Sequence, residues 1–183
     1  MTERVILAGW GGQGMILLGK LLATIMMRQG REVTAFPCYG AEVRGGTAHS
    51  QVVYSTEPIY SPVVEEADAL IIMNQQSYDR FCERLVPGGI MILNTTMVVR
   101  EKTLPAATIL RLRATDEANH LGDVRVANIM MLGAYRAARN FAPRETVEEV
   151  LRAALVGRRA RLLDLNLRAL VRGEELAAAQ MAS

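Results

Sequence analysis

The chain has 183 residues, of which 50% are hydrophobic and 22% charged, and its formal net charge is +2. That length can bury a real core, and residues 1–183 are expected to form a single domain. The small, scattered charge argues against a nucleic-acid footprint, and an aromatic content of 5% leaves little on which bases could stack.

Met1 runs straight into a strand-like segment, with no basic stretch and small-residue cleavage site, so no signal peptide is expected. The apolar stretch from Met15 to Met27 is interrupted by Lys20 and is too short to span a bilayer. A cytoplasmic protein without a membrane partner is the expectation. Arg4 to Ala8 is mostly apolar, as a buried parallel strand is. Gly9 to Gly14 makes a glycine-rich turn, and Met15 to Gln29 reads as a helix stopped by Gly30. This helix is apolar nearly all round, so it is expected to be buried on more than one face. A second strand, Glu32 to Phe36, is expected to end at Pro37. The stretch from Pro37 to Thr47 carries Gly40, Gly45 and Gly46 and reads as irregular.

Ala48 to Tyr54 follows as a strand, and His49, Ser50 and Gln51 suggest that one of its faces is partly wet. Ala69 to Met73 is a third apolar run. Gln76 to Leu85 is predicted as a helix closed by Pro87-Gly88-Gly89. Ile90 to Leu93 and Ala107 to Leu112 are predicted as buried strands. The last third reads as helical, over Ala127 to Arg139, Thr146 to Leu155 and Arg161 to Leu170. Strands alternating with helices predict an α/β, Rossmann-like three-layer domain. Its sheet is mostly parallel, with helices on both faces and a helical C-terminal third.

Gly9-Trp10-Gly11-Gly12-Gln13-Gly14 fits G-x-G-x-x-G between a strand and a helix. Glycines allow the turn and bring backbone N–H groups and a helix N-terminus close to an anion. A dinucleotide site also needs an acid at the end of the second strand, and Ala35, Phe36 and Pro37 stand there instead. Glu32 lies at the wrong end of that strand, which disfavours NAD. Two readings stay open: contact with a phosphate or other anion, or a tight turn at a subunit interface. Tyr39, Gly40, Glu42, Arg44, Gly45, Gly46 and Thr47 follow the second strand and should meet the first turn on the same sheet edge. Arg44 can pair bidentately with a carboxylate or phosphate, or pair internally with Glu42. Asn74 and Gln75 end the third apolar run on that edge, where they can bond the loops or a ligand, or cap the following helix. Asn94 ends the next strand similarly, and Asn128 is expected to cap its helix.

Catalytic equipment is sparse. His49 and His120 lie in no metal-ligand spacing, and no Walker lysine follows the turn, which runs on as Gly14-Met15-Ile16. Cys38 and Cys82 cannot hold a cubane cluster alone, since such clusters usually take four thiolates. Two buried free thiols are expected. The chain has binding equipment but no evident chemistry of its own.

One family shares an ordered set of these segments. The set comprises Gly9–Gly14, Tyr39–Ala48, Ser61-Pro62-Val63-Val64, Met73-Asn74-Gln75, Pro87-Gly88-Gly89 and Arg125-Val126-Ala127-Asn128. Together they closely resemble the gamma subunit, or gamma domain, of 2-oxoacid:ferredoxin oxidoreductases, from Val5 to about Arg172. The resemblance is strongest to the 2-oxoglutarate and branched-chain 2-oxoacid types. It implies a complex that oxidatively decarboxylates a 2-oxoacid, with 2-oxoglutarate favoured, transfers the acyl group to coenzyme A and reduces ferredoxin. It also implies that thiamine diphosphate, magnesium and iron–sulfur clusters belong to alpha, beta and ferredoxin-like delta partners, none to this chain. The gamma chain is then inactive alone, aids assembly and contributes to coenzyme A handling. That role would fall on Gly11, Gly12, Gln13 and Gly14, and on Glu42, Arg44, Gly45 and Gly46. Ala41 departs from the family pattern, which often has proline after Tyr39-Gly40. A structural module without ligand contact and a free-standing nucleotide-binding protein are the alternatives. An isolated chain can also form homodimers through surfaces meant for its partners.

Overall fold

The computed structural model describes residues 2–38, 47–104 and 106–182, and all their side chains save those of Arg158 and Arg159. Six strands form one sheet: β1 (Thr2–Trp10), β2 (Glu32–Cys38), β3 (Thr47–Ser55), β4 (Ala67–Ile72), β5 (Leu85–Asn94) and β6 (Thr108–Leu112). Their order is β2-β3-β1-β4-β5-β6. β1, β4, β5 and β6 are mutually parallel, while β3 lies antiparallel between β1 and β2. The sheet is thus mostly parallel, as expected, with one reversed strand inserted beside β1.

The helices are α1 (Met15–Arg28), α2 (Gln75–Phe81), α3 (Ala114–Leu121), α4 (Ala127–Arg139), α5 (Arg144–Ala154) and α6 (Leu163–Met181). One face of the sheet carries α1, α4, α5 and α6 in a single large apolar cluster that includes Val5, Leu22, Ile92 and Met130. The opposite face is thinner. Tyr78, Phe81 and Cys82 from α2 and the 3₁₀ turn after it cover part of this face, and Val64 and Val98 from extended segments cover more. Helices therefore lie on both faces, but unequally.

Several local expectations change for physical reasons. β2 continues through Pro37 to Cys38 instead of ending at Phe36. As the outermost strand, it loses no ladder partner to a proline on its free side. His49, Ser50 and Gln51 are 7%, 2% and 6% exposed, so β3 has no wet face. Gln51 is satisfied internally, accepting from the Val64 N–H at 2.6 Å. Ser50 meets Gly19 of α1 so closely that a Cβ there would lie 2.2 Å from the Ser50 oxygen. Pro87-Gly88-Gly89 does not close α2 but runs inside β5, beside a register shift against Ala67 and Ala69. Gly88 has φ +77, a left-handed backbone that glycine adopts without strain.

Candidate functional site

The chain leaves β1 toward β2 by way of α1 on one face, and leaves β4 toward β5 by way of α2 on the other. The carboxyl ends of β1 and β4 therefore flank a topological switch point, where open α/β sheets place their ligands. The glycine turn sits there. Gly12 and Gly14 have φ +95 and +76, so the turn needs glycine at both. Gly9 is required by crowding: a Cβ would lie 2.7 Å from Gln13 Oε1 and 3.1 Å from Met73 Cβ. Gly11 is exposed beside them. Gly14 begins α1 with no side-chain cap and no acidic residue in the first turn, which leaves helix N–H groups and their positive end free for a ligand.

Gln13 organises the crevice. Its Oε1 accepts from the Trp10 N–H at 2.7 Å and from Asn74 Nδ2 at 3.0 Å, bridging the ends of β1 and β4. Asn74, wholly buried, also caps α2 by accepting from the Ser77 N–H at 2.9 Å. It thus both caps its helix and bonds the first loop. Gln75 turns away: its Oε1 accepts from the Val99 and Arg100 N–H groups, each at 3.0 Å, and its Nε2 donates to Asp79 and the Arg100 carbonyl. Asn94 likewise spends its amide on the Met73 carbonyl and Thr115.

Thr47 lies opposite Trp10 in the β1–β3 register, and its hydroxyl accepts from Arg80 Nη1 at 2.7 Å. The last described residue of β2, Cys38, lies opposite His49, so both ends of the second loop stand on the glycine-turn edge. Tyr39, Gly40, Ala41, Glu42, Val43, Arg44, Gly45 and Gly46 lie outside the described residues. His49 packs on Phe81 with ring centroids 4.8 Å apart, and its Nδ1 is buried without a partner. Burial, with Arg80 and Arg84 near it, lowers its pKa from the ordinary 6.5 to about 4. Burial pushes the thiols of Cys38 and Cys82 up, so neither is poised as a thiolate. Cys38 is half-buried, not buried.

Asn128 is not the cap of α4, where Val126 holds that position. Its Oδ1 accepts from the Ile129 N–H, and its Nδ2 reaches the Gly14 carbonyl at 3.5 Å, so it braces the turn from across the helical layer. Two clefts open on either side of Gly12, Gln13 and Asn128. The larger, about 330 Å³, runs between α1, α4 and α5, and the smaller, about 170 Å³, reaches Met73 and Thr115. Sequence reasoning missed the larger cleft. Its walls come from four separate helical segments, and no local pattern signals that they converge. Among the described residues no three His, Cys, Asp or Glu side chains gather as a metal site, and no helix is long and apolar enough to cross a membrane.

The fold defines a Rossmann-like domain whose switch point, among the described residues, is lined by a glycine turn, carboxamides and backbone N–H groups. A model of the pyruvate ferredoxin/flavodoxin oxidoreductase family matches residues 4–176. Over 181 residues the chain is 35% identical to ketoisovalerate oxidoreductase subunit VorA of Methanothermobacter thermautotrophicus, covering 95% of this chain. It spans only 36% of that relative's length. It is 32% identical over 155 residues to 2-oxoglutarate synthase subunit KorC of Methanocaldococcus jannaschii, covering 82% of each chain. The gamma subunit of the keto/oxoacid ferredoxin oxidoreductase from Geobacter sulfurreducens superposes with a TM-score of 0.84 at 27% identity, covering 97% of this chain and 99% of that one. The 2-oxoglutarate:ferredoxin oxidoreductase from Magnetococcus marinus, solved with 2-oxoglutarate, coenzyme A and succinyl-CoA bound, gives a TM-score of 0.87 at 27% identity. That likeness covers 97% of this chain and 31% of the larger one. The chain belongs to the pyruvate ferredoxin/flavodoxin oxidoreductase family, as a gamma-type member.

Proposed function

We propose that this chain is the gamma component of a 2-oxoacid:ferredoxin oxidoreductase and is inactive without its alpha, beta and delta partners. The observation that carries this is its end-to-end likeness to a separate gamma subunit, 99% of which it covers. The site adds support, because its described groups are carboxamides and backbone N–H groups suited to holding a ligand. Among the described residues no carboxylates, imidazoles and thiols gather as magnesium or iron–sulfur ligands would, and both thiols are raised by burial. Thiamine diphosphate, magnesium and iron–sulfur clusters belong to the partners in this reading. Coenzyme A fits better, since its phosphates suit an uncapped helix N-terminus behind a glycine turn. Gly11, Gly12, Gln13 and Gly14 would face it, with Glu42, Arg44, Gly45 and Gly46 of the second loop.

The substrate reading is 2-oxoglutarate, supported by the KorC likeness, in which each chain is covered over 82% of its length. The VorA likeness at 35% identity supports a branched-chain 2-oxoacid as the second reading. A tagged chain drawn from native extract should bring down brown, cluster-bearing partners. That material should reduce a viologen dye with one acid among 2-oxoglutarate, 2-oxoisovalerate, pyruvate and indolepyruvate when coenzyme A is added. A colourless chain without partners or activity would overturn the proposal. Arg44→Ala separates the roles: intact assembly with a raised requirement for coenzyme A indicates ligand contact, and failed assembly indicates a structural loop.

A further inference from the structure

On the thinner face, α2 and the 3₁₀ turn that continues it expose Arg80 and Arg84, four residues apart. Like charges at that spacing repel. Elsewhere arginines are neutralised: Arg4, Arg111, Arg136 and Arg172, among others, each pair with a carboxylate. Among the described residues Arg80 and Arg84 take neutral partners instead. Arg80 Nη1 donates to the Thr47 hydroxyl at 2.7 Å, and Arg84 Nη1 donates to the Val64 carbonyl at 3.3 Å. Both guanidinium groups lie over the ring of Phe81, 5.3 and 5.4 Å from its centroid. The acids beside them in sequence are engaged elsewhere, Asp79 by Gln75 and Glu83 by Lys102. The ring and the hydrogen bonds hold the two cations in place, so less side-chain freedom remains to be frozen when they meet an anion.

Apolar side chains flank the pair. Trp10, 39% exposed, lies opposite Thr47 in the β1–β3 register, and its indole N–H donates to Gln76 of α2 at 3.2 Å. Val63, 52% exposed, precedes the Val64 that holds Arg84. The Val64 N–H in turn donates to Gln51, and opposite Gln51 on β2 Phe36 is 47% exposed. Exposed aromatic and aliphatic side chains around fixed arginines are the composition of the centre of a protein interface.

We infer that this patch is a docking surface for an acidic segment of a partner subunit, in which two carboxylates meet Arg80 and Arg84 and neighbouring apolar side chains cover Trp10, Phe36 and Val63. Charge decides the occupant, since a second copy of this chain docked patch to patch about a two-fold axis would set like charges together. The inference rests on the reading of this chain as one component of a complex, and it adds the face and the chemistry by which the chain is held.

The test uses complexes drawn from native cells that express tagged wild-type or variant chain. Arg80→Lys/Arg84→Lys keeps the charges and adds amines, which a carbodiimide joins to carboxylates in contact with them. Mass spectrometry should find positions 80 and 84 linked to Asp or Glu residues of one partner chain. Links only to this chain's own carboxylates, Glu42 of the second loop included, or a formed complex without links, would overturn the inference. Arg80→Glu/Arg84→Glu should lower the partner captured at physiological salt by roughly tenfold or more, because like charges then face each other across the interface. Arg31→Glu/Arg168→Glu makes the same change of charge on exposed arginines elsewhere and should capture as the wild type does. Undiminished capture by a folded Arg80→Glu/Arg84→Glu chain, or equal loss in both variants, would also overturn the inference. If the charge-reversed chain does not fold, the lysine variant decides. A wild-type chain that brings down no partner ends the parent reading and this one together. A complex that forms and ignores these substitutions ends this inference alone.

Discussion

The carboxamide of Gln13 holds the switch point together through one oxygen, which serves a backbone N–H of β1 and a side chain at the end of β4. Gln13→Leu keeps the size and removes the acceptor, leaving the buried Asn74 amide short of a partner. Unfolding in urea should show a loss of about 1–3 kcal/mol, and Gln13→Glu, which keeps an acceptor, should lose less. Gly14→Ala should be costlier than a helix-start glycine suggests. Its φ is +76, and the new Cβ would lie 2.3 Å from Asn128 Nδ2. His49 sets a pH dependence. It is neutral when folded, with a pKa near 4, and returns to 6.5 on unfolding. The unfolded chain therefore binds the extra proton, so the contribution of His49 is complete above pH 6.5 and is lost as pH falls toward about 4. Glu3 has the opposite sign. Burial raises its pKa from 4.5 despite Arg139 beside it, so its contribution is present below 4.5 and is lost as pH rises through the raised value. The difference in stability between wild type and His49→Phe, followed from pH 7 to 4, isolates the histidine. A constant difference would show that His49 is not held neutral. The G-x-G-x-x-G pattern made this site legible, but which amide bonds which is a matter of tertiary approach, and Gln75 shows it. A residue next to Asn74 in sequence points into the backbone at Val99 and Arg100 instead of the crevice.

Among the elements, α4 and α6 pack the most closely. A Cβ on Gly173 would lie 1.9 Å from the Met130 carbonyl oxygen, and one on Gly133 would lie 2.1 Å from that of Leu170. Gly173→Ala and Gly133→Ala should each cost at least about 1–3 kcal/mol by forcing the helices apart, read as a lower urea midpoint. An unchanged midpoint would mean that the helices separate freely. Arg136 and Arg144 both pair with the buried Glu174 and tie α6 to α4 and α5. Gln180 blunts the outer edge of β6: its amide accepts from the Arg111 N–H at 2.9 Å and donates to the Arg111 carbonyl at 2.7 Å, where another strand would bond. The apolar positions Ile129, Leu132, Ala134 and Tyr135 predicted α4 over its observed span, and the structure buries its first nine residues without a break. Periodicity missed α3, a short helix rich in polar residues with only Ala114 and Ala118 buried. It also misplaced the end of α2, because Pro87-Gly88-Gly89 reads as a helix stop locally but serves a strand irregularity set by β4.

At the scale of the molecule, the class of fold was legible because short apolar runs alternate with longer helical segments set off by glycine and proline. The inserted antiparallel β3 was not legible, since a strand's direction depends on partners far away in sequence. The unequal layers matter for the proposed complex. Tyr60 and Val63 are 95% and 52% exposed in the segment that leads to β4 on the thinner face, and Val99 is 79% exposed beside Gln75 at the start of α2. In the proposed complex this chain completes an enzyme it cannot be alone. The direct measurement is the rate of 2-oxoacid-dependent, coenzyme A-dependent ferredoxin reduction by purified alpha, beta and delta partners, with and without this chain. Negligible turnover is expected from the partners without this chain, and a restored rate when it is added back. A full rate in its absence would contradict that role.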